Sequence, residues 1–97
     1  MSAPHRVPSQ PDETLADIAA TYNQDPDDVL HGVAQNRNNA AFAARALAVY
    51  EAREPCDTEE CLADLLTDLR HLADWLGLDF DALAEQSERY HTEEIGA

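Results

Sequence analysis

No lysine occurs in this chain: its six basic residues are all arginine, and twenty Asp and Glu stand against them for a net charge of −14. A surface so poor in cations repels phosphate backbones and anionic lipid headgroups, so direct nucleic-acid binding and membrane-surface binding are excluded as expectations. Long apolar stretches are missing too. No run approaches the roughly 18 residues a membrane helix needs, and the opening MSAPHRVPSQP lacks the apolar centre of a signal peptide. A cytoplasmic protein is therefore expected. Cysteine is scarce, with only Cys56 and Cys61, and in a reducing compartment both are expected as free thiols. Strand-like alternation and internal repeats are also absent, which leaves helices as the building material.

What is present is a folded composition. A hydrophobic fraction of 44% is ordinary for a globular chain, and 97 residues suit one domain with a modest core. The acidity is concentrated. Between residues 57 and 94 there are twelve acids and only Arg70 and Arg89 as bases, so this half carries −10 of the −14. A basic partner surface, or a bound cation, is what such a surface favours.

The pattern predicts an all-α bundle of about five helices, over residues 12–23, 26–36, 40–54, 58–76 and 80–91, forming a single domain of residues 12–97. Residues 1–11, with Pro4, Pro8 and Pro11, read as an extended, flexible arm. Asp12, Glu13 and Thr14 give the first helix an acidic opening turn. Asp25 followed by Pro26 marks a second start, and the amides of Asn36, Asn38 and Asn39 are expected to stop that helix by competing for its backbone hydrogen bonds. An alanine-rich third helix follows, ended by Pro55. Asp57 and Glu60 stand at capping-box spacing before the fourth, Gly77 suits its left-handed stop, and Asp79 caps the fifth.

The fourth predicted helix has two faces. Taking about 100° per residue, Leu62, Leu65, Leu66, Leu69, Leu72 and Leu76 form one wide apolar face, expected to be core. Beside it Asp64, Asp68, His71 and Trp75 form a stripe. The carboxylates, one turn apart, could share a divalent cation such as Mg²⁺ with Glu51 and Glu54 of the preceding helix, and His71 could add a nitrogen. Alternatively the stripe is a recognition surface. Asp64, Asp68, His71, Asp74, Trp75, Asp79 and Asp81 would then meet a basic protein, although Trp75 at the stripe's edge is expected as a half-buried rim of the core. So many leucines on five short helices also raise the expectation of a homodimer.

Two resemblances bear on function. The order Glu51-x-x-Glu54, then Glu60 to Asp64, then a leucine-rich helix ending in LADWLGLDFDAL is similar to the all-α nucleoside triphosphate pyrophosphohydrolases of the MazG type. That resemblance implies Mg²⁺ held by acid pairs and cleavage between α and β phosphates. The chain departs from it where Cys61 occupies the position of a ligand Glu. The second covers residues 41–94: AARALAVYE, a short acidic loop, and CLADLLTDLRHLADWLGLDFDALAEQSERYHTEE resemble small acidic proteins carried by phages and plasmids. It implies a mobile-element setting, in which small acidic proteins imitate DNA and occupy a host protein's nucleic-acid groove, as anti-CRISPR and anti-restriction proteins do.

Overall fold

The structure, a computed structural model, describes residues 3–25, 31–53 and 56–96, and among these described residues there are four helices, not five. They are α1 (Leu15–Ala20), α2 (Val33–Arg53), α3 (Thr58–Leu76) and α4 (Phe80–Gly96), and no strand occurs among the described residues.

The first helix is shorter than the 12–23 expected, because Thr14 rather than an earlier acid is its cap. The Asp17 amide donates to Thr14 Oγ1 and the Thr14 amide donates to Asp17 Oδ2, both at 3.1 Å, a reciprocal capping box. Those bonds favour the charged carboxylate and hold the Asp17 pKa below its ordinary value.

The largest correction concerns residues 36–39, where a helix break was expected and α2 instead runs straight through. Two of the amides that should have competed with the backbone, those of Asn36 and Asn38, have partners elsewhere. Asn36 Nδ2 donates to the carbonyl oxygens of His5 (2.9 Å) and Glu94 (3.1 Å), and Asn38 is engaged with the backbone of Asn23. With these side chains satisfied by tertiary contacts, nothing local opposes the helix. The expected helix start at Pro26, and the stop at Pro55, lie outside the described residues.

The boundaries of α3 agree with the 58–76 expected, since both are chemical. Asp57 accepts from the Glu60 amide at 2.9 Å. At the other end Gly77, at φ 71°, donates to the Asp74 carbonyl, and Leu78 donates to the Ala73 carbonyl at 2.8 Å. The last helix extends beyond the expected residue 91 to Gly96. No breaker intervenes, and Ile95, buried near its end, rewards the extra turn with apolar contact.

The core is built of small side chains. Ala41, Ala44 and Leu47 of α2 are buried, together with Cys61 and Ala73 of α3 and Ile95 of α4. Alanines at a three-residue repeat let neighbouring helices approach closely. The N-terminal segment lies against this body: the His5 amide donates to the Ile95 carbonyl at 3.1 Å, so arm, α2 and α4 meet at His5, Asn36 and Ile95. Tyr22, just past α1, packs against Phe42 of α2 with ring centroids 4.9 Å apart and the rings tilted by 44°, and Arg45 lies over the Tyr22 ring.

The leucine face of α3 does not form the core expected of it. Leu62, Leu66, Leu69, Leu72 and Leu76 are between 40% and 61% exposed, and only Leu65 among the six leucines is less exposed. The helix packs on its neighbours through Cys61 and Ala73, and three long helices are too few to close over the rest.

Candidate functional site

The acidic stripe of α3 faces the C-terminal end of α2 across a shallow cleft of about 390 Å³, lined by Tyr50, Arg53, Cys56, Asp64, Thr67 and Asp68. Each helix contributes side chains one turn apart: Tyr50 and Arg53 from α2, Asp64 and Asp68 from α3. Burial first, then a hydrogen bond to Asp68 and the negative charges of Asp68 and Asp64, raise the Tyr50 pKa above its ordinary value. Arg53 pulls the other way, and the acids prevail. The cleft is thus a negative notch with one phenol and one guanidinium set into its wall.

Other stripe residues stand apart from it. Asp74 and His71 are exposed on α3, and no ion pair joins His71 to Asp68 among the described residues. Trp75 is 88% exposed, which overturns its expected place at a half-buried rim. Asp79 is spent on structure, accepting from the Ala82 amide at 3.2 Å as the cap of α4. Asp81 pairs with Arg70 at 3.0 Å, and the same guanidinium lies 4.3 Å over the Phe80 ring.

Glu51 is exposed and does not line the cleft; Glu54 lies outside the described residues. The α2 residues that do face the stripe, Tyr50 and Arg53, sit one position back, a rotation of about 100° around the helix. Their i, i+3 spacing is the same as that of Glu51 and Glu54, so periodicity alone offers no means of choosing between the pairs. Among the described residues no group of three His, Cys, Asp or Glu side chains is arranged to hold a metal ion.

The cysteines are joined, not free. Cys56 and Cys61 form a disulfide with Cα atoms 6.0 Å apart, closing the turn between α2 and α3 at the end of the cleft. The first turn of α3 brings Cys61 back over the entering chain, which puts its sulfur within reach of Cys56. Cys61, fully buried and bonded, has no thiolate to offer a cation.

Comparison of the chain with protein-family models, with curated proteins and with solved structures finds no match. No described helix is long and apolar enough to cross a membrane.

Proposed function

We propose that this chain is a small acidic interaction module that docks on the basic groove of a nucleic-acid-binding host protein, in the manner of anti-CRISPR and anti-restriction proteins. The observation that carries the reading is Trp75, 88% exposed on the same helix as Asp64, Asp68 and Asp74. An exposed indole costs a free monomer solvation energy, and among carboxylates it supplies the apolar anchor that a purely electrostatic surface lacks. Asp64, Asp68, His71 and Asp74 share the helix with it, and Asp79, which caps α4, and Asp81, paired with Arg70, stand at the adjoining end of α4. The mobile-element setting follows the resemblance over residues 41–94.

Charge complementarity of this kind speeds encounter and weakens with salt. The test is a pull-down from host extract at low and high salt, with double-stranded DNA as competitor. Expected are nucleic-acid-binding proteins released both by salt and by DNA, and lost from a Trp75→Ala, Asp64→Asn, Asp68→Asn variant. Capture indifferent to salt and to DNA would refute the reading. Turnover of nucleoside triphosphates in Mg²⁺ by the same preparation would favour the pyrophosphohydrolase instead.

A further inference from the structure

The uncovered leucines of α3 are not scattered. Leu62, Leu65, Leu69, Leu72 and Leu76 follow a 3-4-3-4 spacing, with leucine at each first and fourth position of two consecutive heptads; Leu65 is half-buried, Leu66 widens the seam, and Ala73 on the same side is buried within the chain. The seam spans an arc of about 120° that contains no charged residue. Asp64 and Asp74 lie toward the other side of the helix, and Asp68 borders the seam beside Leu72.

The molecule as a whole exposes too much surface for a finished monomer. Its accessible area is 7624 Å², whereas a compact chain of 10.7 kDa exposes about 5500 Å². The radius of gyration, 14.6 Å, exceeds the roughly 12.5 Å of a compact domain of this length. Part of this excess, on the order of 2000 Å² per chain, lies on the exposed N-terminal arm, and the share on the leucine seam is what a second copy would cover, in a class of interface where each subunit buries roughly 1000–2500 Å².

We infer that this chain is a homodimer, with α3 of one copy packed along α3 of the other through Leu62, Leu65, Leu69, Leu72 and Leu76. A second copy fits because a heptad leucine seam is its own complement: knobs of one helix enter holes of the other about a two-fold axis near Leu69, the midpoint of the run. The uncharged seam asks for no opposite charge, so it does not compete for a basic partner. Asp64 and Asp74 project away from the axis, whereas Asp68 and Trp75 flank the seam at its margin, so the outer part of the stripe stays available in each copy for the recognition proposed above. The two surfaces respond to salt in opposite directions. Two chains of −14 repel, so added salt tightens the dimer, while it loosens a complex with a basic protein.

Sedimentation equilibrium of the full chain at rising salt tests this. Expected is the mass of two chains, with the monomer fraction falling as salt rises. Leu69→Glu with Leu72→Glu sets charges at the axis and should give single chains of unchanged far-UV circular dichroism. Should that variant unfold, Leu69→Cys serves in its place: mild oxidation should link two chains, whereas Asp74→Cys, outside the seam, should not. A single-chain mass at all concentrations would overturn the inference. So would a larger assembly indifferent to the glutamates, or a monomer that engages a basic protein through Leu69. Asp64→Asn with Asp68→Asn should leave the dimer intact while weakening the basic partner, so the two readings can fail separately.

Discussion

Asn23 and Asn38 clasp each other through two hydrogen bonds. The Asn23 amide donates to Asn38 Oδ1 at 2.8 Å, and Asn38 Nδ2 donates back to the Asn23 carbonyl at 3.1 Å. A side chain in the second turn of α2 thereby does for the end of the α1 segment what a neighbouring strand would do in a sheet.

Replacing Asn38 with Ala removes both bonds while improving local helix propensity, two effects of opposite sign. The bonds are exposed and contribute about 1 kcal/mol together, against a propensity gain of roughly half that. The expected result is a small loss, a Tm lowered by about 2–4 °C, in differential scanning calorimetry. Asn38→Asp keeps the acceptor, loses the donor and turns a charge toward the Asn23 carbonyl, so it should fall below Asn38→Ala.

At Gly32 the backbone is left-handed, φ 74°, and a Cβ there would lie 2.7 Å from His5 Nδ1. Gly32→Ala therefore meets two costs, about 1 kcal/mol of backbone strain and the displacement of the His5 ring. The arm should loosen, read as faster protease cleavage near Arg6. Adding His5→Ala should recover the steric part and leave the strain, so the double variant regains some, not all, of the lost Tm.

The Cys56–Cys61 link closes a loop of five residues' separation, and loop-closure entropy assigns such a short ring roughly 2 kcal/mol. Protein prepared without reductant should have no thiol reactive toward Ellman's reagent when denatured. Dithiothreitol should lower the Tm by about 10 °C. Helix α3 should survive, because Asp57 and Gly77 rather than the sulfurs define its ends.

Tyr50 titrates above its ordinary value because burial and the acids of α3 disfavour the phenolate. A group whose pKa is raised on folding contributes stability at pH values below its unfolded pKa, and that contribution is lost as pH rises through the folded value. Unfolding should therefore become easier in the alkaline range above pH about 10. Asp68→Asn removes a neighbouring charge, so part of the tyrosinate absorbance near 295 nm should develop at lower pH in that variant.

The four helices were legible to very different degrees. Thr58–Leu76 could be read to the residue, since an aspartate cap and a glycine stop act within one turn and need no tertiary partner. The chain's all-helical character, and the caps at Asp57 and Asp79, follow in the same way from short-range sterics and hydrogen bonding. The run Asn36-Arg37-Asn38-Asn39 misled for the complementary reason: its amides break a helix only if left to find local partners, and here His5, Glu94 and Asn23 supply distant ones. Tyr50 and Arg53 were invisible as cleft residues because a helix repeats its spacing on every face, and only packing against α3 selects one. The leucine seam is the sharpest case. Periodicity established that six leucines share a side of α3, but burial depends on what covers that side, and the described residues cover only Ala73 and part of Leu65 there. Local chemistry sets where helices begin and end; which of their faces meet, and which remain open, is settled by how few helices there are to enclose them.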